Sequence, residues 1–302
     1  MLLREIKHIY HLELDTLYGK EEVSHFFYLA LEHYLGFQRF ILSVQPNIAL
    51  SKQEEQPLFA TLAALKLEKP IQYILGTAHF MDLELKVNSH VLIPRPETED
   101  LVRWIIQEIG SIKYDTLTSD DKTNNSEFRI QNSEFNILDI GTGSGCIAIA
   151  LAKALPGATI SAMDVSMKAL EVAKYNSEKH GAKIQFRGAD ILQNPEMGKF
   201  DIIVSNPPYV RESEKIAMKP NVKDYEPGEA LFVPDQDSLR FHRAIAEFAV
   251  KNLYLGGMLF LEINQYLALE TQKLLQDIEF RNIELRKDLF GKDRMLMGFN
   301  SS

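Results

Sequence analysis

At 302 residues the chain exceeds what one small core needs, and roughly 100–200 residues per domain predicts two domains, or one large domain with an appendage. Its 45% hydrophobic and 25% charged residues exclude wholesale disorder and a fibrous repeat, while 33 Lys and Arg against 42 Asp and Glu give a net charge of -9, which opposes broad affinity for phosphate backbones. Cys146 is the only cysteine, so no intramolecular disulfide can form, and no stretch approaches the roughly 18 apolar residues of a membrane span; a cytoplasmic protein is expected.

From Met1 to about Leu67 apolar residues recur at helical spacing, as in Phe26, Phe27, Leu29, Ala30, Tyr34 and Leu35, then Leu58, Leu62 and Leu65. A small helical domain over residues 1–69 is predicted, with breaks at Gly19, Gly36, Pro46 and Pro57. His8 and His11 have the only useful metal spacing among its histidines, but no carboxylate or cysteine is clearly placed to join them, so solvated or capping roles are the better reading. Residues 70–90 alternate apolar and polar side chains from Phe80 to Val87, which predicts a short hairpin bridging two domains. Pro94 and Pro96 then hold the chain extended before a helix from Thr98 to about Ile109 that opens with acids. Residues 115–136 are polar and repeat NSEF twice, too few copies for a solenoid, so an inserted mobile loop is expected.

From Asn136 the pattern becomes strand, turn, helix: NILDI, then Cys146 to Leu155, then ATISAMD, then Ser166 to His180, then IQFRG and DIIVSN. Short apolar strands alternating with amphipathic helices predict a parallel sheet covered on both faces, a doubly wound α/β domain. NILDI runs straight into GTGSG, the residues Gly141, Thr142, Gly143, Ser144 and Gly145. Glycines let the backbone turn tightly and approach a ligand, and the following helix offers unpaired N–H groups. A dinucleotide loop would place its third glycine at position 146, where Cys146 stands, which weakens an NAD reading; Cys146 reads as a packing residue. Asp164, about twenty residues on at a strand end, can accept from both ribose hydroxyls of an adenosine cofactor. Asp190 ends another strand and could accept from an adenine amine, or simply cap a turn.

DIIVSN leads into NPPYV. Two prolines remove two backbone donors and stiffen the chain, leaving their carbonyls and the Asn206 side-chain oxygen as aimed acceptors, with Pro207, Pro208 and the ring of Tyr209 beside them. Such a site suits a planar NH2 group next to a sulfonium methyl donor.

The glycine loop, Asp164 and NPPY in this order resemble the class I S-adenosylmethionine-dependent methyltransferases that act on amino groups. LIPRPETE (Leu92 to Glu99), SNPPYV, YEPGEAL (Tyr225 to Leu231), LEI before Asn264 and the terminal DLFGKDR resemble, more specifically, the PrmC/HemK family of peptide chain release factor glutamine methyltransferases. The likeness covers nearly the whole chain and implies a Rossmann-like mixed seven-stranded sheet over 91–302, behind a helical docking domain and a connecting hairpin. It further implies that Gly141 to Gly145 and Asp164 hold S-adenosyl-L-methionine, with Asp190 and Ile191 at the adenine and Asn206 bordering the cofactor. Asn206, Pro207, Pro208 and Tyr209 would hold a glutamine side chain from a release factor GGQ loop, Asn206, Pro207 and Tyr209 being the catalytic set, with S-adenosyl-L-homocysteine released and no metal. A monomer without membrane or stable nucleic-acid partners is expected. Arg95 and Glu99 are candidates either to brace the cofactor pocket or to form an ion pair. Asn264, Ser238 and His242 depart from the residues usual in the family.

Two other readings compete. An adenine methyltransferase would use the same acceptors but must grip phosphates, whereas residues 1–100 hold 9 Lys or Arg against 14 Asp or Glu. A noncatalytic nucleotide-binding module would have no need of rigid acceptors beside its ligand.

Overall fold

A computed structural model describes residues 1–118 and 135–301, the side chains of 112–118 excepted. The insertion expected at 115–136 therefore lies largely outside the described residues; at its start the chain is still helical to Thr118, and Asn136 already belongs to a strand. The chain divides into two units, Met1–Thr77 with Lys219–Tyr225, and Ala78–Met218 with Glu226–Ser302.

The first unit is built on helices Leu3–Tyr18, Lys20–Leu35 and Lys52–Lys66. Leu3, Ile6, Tyr10 and Leu14 fall three or four residues apart, so one stripe of the first helix enters the core with Phe27, Ala30, Leu31 and Leu58. Tyr10 meets Phe27 edge-on at 5.2 Å and donates its hydroxyl to the Leu58 carbonyl at 2.5 Å, so the buried phenol is satisfied. Gly19 and Gly36 end helices as expected, both at positive φ. Pro57 does not. It sits inside Lys52–Lys66, where a capping box at Ser51 and Glu54 secures the turn before it and offsets the hydrogen bond the proline cannot make. His11 is occupied locally, with Nδ1 at 2.7 Å from Asp15 Oδ1 and Nε2 at 3.1 Å from Ser24 Oγ.

In the second unit, β1 (Thr77–Phe80) and β2 (Leu83–Lys86) form the expected hairpin. The helix expected from Thr98 to Ile109 runs from Pro96 to Thr118. Seven strands make one sheet: β3 (Asn136–Ile140), β4 (Thr159–Asp164), β5 (Ile184–Gly188), β6 (Phe200–Ser205), β9 (Leu253–Glu262), β10 (Arg281–Lys287) and β11 (Asp293–Phe299). Two-residue strands β7 (Val210–Arg211) and β8 (Phe232–Val233) pair apart from it. The order is β10-β11-β9-β6-β3-β4-β5; β11 is antiparallel to both neighbours and the other pairs are parallel. The sheet is thus mixed and seven-stranded, as the family likeness implies; the strand-helix pattern alone predicts only β3 to β6.

Alternation along the strands sends side chains to two cores. Ile137, Ile202, Val204, Met258 and Phe260 pack under helices Pro96–Thr118 and Cys146–Ala154. Leu138, Ile203, Leu259 and Leu261 pack under helices Arg240–Asn252 and Ala268–Asp277. This reversal of strand order beside β3 opens the crevice at the carboxyl edge where open α/β sheets bind ligands. Among the described residues no helix is long and apolar enough to cross a membrane.

Candidate active site

At the end of β3 the chain folds back on β4: the Gly141 and Thr142 N–H groups donate to the Met163 carbonyl at 2.8 and 3.0 Å. Gly143 and Gly145 take φ of +54° and +84°, and a Cβ on Gly145 would stand 3.1 Å from Ile149 Cδ1 and 3.2 Å from Ala173 Cβ. The loop must therefore pass close against the helix Met167–Lys179, which only glycine permits there. Buried Asn176 on that helix fixes the approach, donating from Nδ2 to the Ser144 and Lys86 carbonyls at 2.9 and 3.0 Å and accepting the Lys86 N–H at 2.7 Å.

Asp164 closes β4. Its Oδ2 accepts the Gly143 N–H at 2.9 Å and its Oδ1 the Ser166 N–H at 2.8 Å, while burial pushes the carboxyl above its ordinary range. Beneath the loop lies Asp139, fully buried. The Thr142 hydroxyl donates to its Oδ2 at 2.6 Å, Oδ1 has no hydrogen-bond partner, and desolvation pushes the group up to about 7. Asp190 caps a short turn, Oδ1 accepting the Leu192 N–H at 2.9 Å.

These elements surround one cavity of about 600 Å³. Gly141, Thr142, Gly143, Ser144, Asp164, Asp190, Ile191, Asn206, Pro207 and Pro208 all line it. Two of the candidate residues do not. Gly145 closes the loop packed against Ile149 and Ala173, and Tyr209 turns its hydroxyl to Glu262 Oε1 at 2.8 Å. Apolar walls come from Met163, Ile191, Phe241 and Ile245. Cys146 lines the cavity and packs against the core beneath it, and burial pushes its thiol up to about 12.

Arg95 reaches the same cavity but is held by Glu226, with Nη2 to Oε1 at 2.6 Å, and buried Glu226 also accepts the Ile93 N–H at 3.2 Å. Glu99 stands elsewhere, pairing with Arg103 and accepting the Met81 N–H. Both residues thus form ion pairs, with separate partners.

Sequence reasoning missed a buried hub behind NPPY. Thr98 donates its hydroxyl to Glu262 Oε2 at 2.6 Å and accepts Asn206 Nδ2–H at 3.0 Å. Burial pushes Glu262 upward against the hydrogen bonds from Thr98 and Tyr209 and the positive charge of Arg294. The only sequence signals for the hub were the quoted PETE and LEI segments. The three departures are also placed. Asn264 Nδ2 donates to the Tyr209 carbonyl at 3.1 Å and to Glu214 Oε2 at 2.9 Å. His242 is buried with Nε2 3.0 Å from the Glu262 carbonyl, and Ser238 follows the short turn Asp235–Asp237. Among the described residues no cluster of three or more His, Cys, Asp or Glu is placed to hold a metal.

A mixed seven-stranded sheet of this order, with a glycine loop after β3 and a carboxylate ending β4, defines a class I methyltransferase. The hMettl16 catalytic domain, solved in complex with the MAT2A 3'UTR hairpin 6, shares the fold at 15% identity and a TM-score of 0.52, over 81% of each chain. The model of the methyltransferase small domain matches residues 126–221, and that of the PrmC N-terminal domain matches residues 18–76. A release factor glutamine methyltransferase of Flavobacterium psychrophilum is 44% identical over 297 residues, 98% of both chains, and one of Bacteroides thetaiotaomicron is 40% identical over 285 residues, 94% of this chain and 95% of that one. The chain belongs to the release factor glutamine methyltransferase family.

Proposed function

We propose that this protein methylates the side-chain amide nitrogen of the glutamine in the GGQ motif of a peptide chain release factor, with S-adenosyl-L-methionine as donor and S-adenosyl-L-homocysteine as product. One observation carries the reading: the acceptor-rich Asn206-Pro207 corner and the Asp164-bound glycine loop face the same cavity. Its volume of about 600 Å³ falls within the roughly 300–1,000 Å³ usual for ligand pockets. The donor set fits the cofactor. Asp164 spends one lone pair of each oxygen on backbone N–H groups and retains others for ribose hydroxyls, Asp190 and Ile191 flank the adenine position, and Phe241 and Ile245 supply apolar contact.

S-adenosyl-L-methionine supplies an electrophilic methyl carbon on a sulfonium. The chain's own residues orient the nucleophile. Asn206 Oδ1 and the Pro207 carbonyl accept the two amide N–H groups, which turns the nitrogen lone pair toward the donor. As positive charge develops on that nitrogen the same oxygens stabilise it, so no side chain must remove a proton first; the methylated nitrogen then releases one of its two protons to solvent. Pro208 stiffens the corner and Tyr209, through Glu262, anchors its far end.

With this activity goes a division of labour: helices of 1–69 dock the release factor, 70–90 joins, and 91–302 carries the chemistry. The enzyme works in the cytoplasm as a monomer without stable nucleic-acid contacts, which the excess of acids in residues 1–100 supports. The test is mass spectrometry of purified release factor after incubation with the enzyme and donor. A single added methyl on the GGQ glutamine is expected; transfer of labelled methyl to nucleic acid and none to the factor would overturn the proposal.

A further inference from the structure

An asparagine amide has two faces that chemistry treats oppositely: Oδ1 only accepts and Nδ2 only donates. A pocket for an NH2 group works only if Asn206 shows it the oxygen. Nothing in Asn206 itself chooses, since a half-turn of the amide exchanges the two at little steric cost.

The choice is made behind it. Glu262 is 1% exposed and Thr98 is 2% exposed, so neither can turn to water for a partner. Glu262 accepts on both oxygens, from the Thr98 hydroxyl on Oε2 and from the Tyr209 hydroxyl on Oε1. It therefore commits the Thr98 proton to Oε2 at 2.6 Å, and the Thr98 oxygen is left facing Asn206 with a lone pair, 3.0 Å from Nδ2. A flipped amide would oppose two acceptors, Thr98 Oγ1 and Asn206 Oδ1, inside the protein, and would also show the pocket a donor. The other oxygen, Oε1, accepts the Tyr209 hydroxyl at 2.8 Å, so one carboxylate pins both the first and last residues of NPPY. The hub is itself fixed, since β9 ends at Glu262 and pairs with β11 at Met295, and the Glu262 carbonyl is capped by His242 Nε2 at 3.0 Å.

We infer that Glu262 and Thr98 are positioning residues that set the amide polarity of Asn206, and so make the pocket selective for a nitrogen that carries two hydrogens. This rests on the glutamine-methylating activity proposed above.

The experiment is steady-state methylation of release factor by the parent, Thr98→Val, Thr98→Ser, Glu262→Gln, Asn206→Ala and the double variant T98V/N206A, with melting temperature and cofactor affinity measured on each. Valine matches threonine in shape but has no hydroxyl, so it frees the amide without opening a cavity. T98V should lower kcat on the order of 10²-fold, the scale of a misoriented reacting group, with KM for the factor and cofactor affinity each within about threefold, because both are set by distant contacts. Serine, which keeps the hydroxyl, should recover most of the loss. Glutamine at 262 brings an NH2 that opposes either the Thr98 or the Tyr209 proton, so E262Q should lose kcat on the same scale. In the N206A background T98V should cost almost nothing further, since there is no amide left to orient. A T98V enzyme as active as the parent, or losses that multiply in the double variant, would overturn the inference, and an unfolded T98V leaves E262Q and the serine variant to decide it. A parent enzyme that leaves the release factor unmethylated would instead remove the activity on which it rests.

Discussion

Replacing Gly145 by alanine tests whether the glycine loop is shaped by the protein's own packing. Gly145 has φ +84°, and a methyl there would lie 3.1 Å from Ile149 Cδ1, 3.2 Å from Ala173 Cβ and 3.3 Å from Ala173 Cα. A left-handed conformation costs an L-residue about 1–2 kcal/mol. Three contacts this short in a packed core, one of them with backbone, add about 1–3 kcal/mol of overpacking. Together they predict a loss of about 2–5 kcal/mol. For a unit of this size, at about 2–4 °C per kcal/mol, that is a fall in Tm of roughly 4–20 °C, read by circular dichroism on the transition of the α/β unit. Gly143 is the internal control. It has φ +54°, nothing lies within 4 Å of its added Cβ, and it lines the cavity. Gly143→Ala should therefore lose only about 1–2 kcal/mol while weakening cofactor binding by about tenfold or more. If G145A melted within about 1 °C of the parent, or if G143A were the less stable of the two, the reasoning that ties Gly145 to packing and Gly143 to the ligand would be wrong.

Asn206→Ala should retain cofactor affinity in calorimetry yet lose about 10²-fold or more in kcat, because it removes an orienting acceptor and no ribose contact; equal turnover would refute the amide-gripping role. Asp164→Ala should weaken cofactor binding, since it deletes the ribose acceptor and also frees the Gly143 N–H; an unchanged Kd would place the ribose elsewhere. His242 gives a pH signature. Burial lowers it from 6.5 to about 4, so the unfolded chain binds its proton first on acidification. The stability this contributes is full above pH 6.5 and is lost as pH falls toward 4, by about 3 kcal/mol in all. Denaturant titrations from pH 4 to 7 should show that slope in the parent and a shallower one in His242→Gln; identical slopes would show that the histidine is already paired or exposed.

How far the sequence reveals this protein depends on the range of each interaction. The glycine loop, the strand-end Asp164 and the NPPY corner are local signals, and all but Gly145 and Tyr209 among those residues meet at one cavity wall. Pro57 misleads because a capping box three to six residues earlier decides the helix, and a lone proline says nothing of it. The edge strand β10 pairs only with β11, and β11 lies between β10 and β9, so their place in the sheet is set by pairing with other strands and periodicity is silent about it. The hub is the extreme case. Thr98 and Glu262 are 164 residues apart, and Arg95 and Glu226 are 131 apart, so no window along the chain contains either pair.

The carboxyl edge of the sheet also limits what the pocket alone can select. Asp139, Asp164, Asp190 and Glu262 stand at or just beyond the ends of β3, β4, β5 and β9, and their partners in the protein are hydroxyls and backbone N–H groups. Of these, Asp164 and Asp190 line the cavity beside the Asn206-Pro207 corner, so this part of its wall is rich in acceptors, and a group bound there must bring N–H or O–H groups of its own. A ribose, an adenine amine and a carboxamide all do. An exocyclic adenine amine presented as substrate would satisfy Asn206 and Pro207 as well as a glutamine does, since both are planar NH2 groups. Discrimination between a protein and a nucleic acid therefore cannot reside in the NPPY corner. On the activity proposed above it falls to the surface that delivers the substrate, where a net charge of -9, with acids in excess over the first 100 residues, opposes the binding of phosphate backbones.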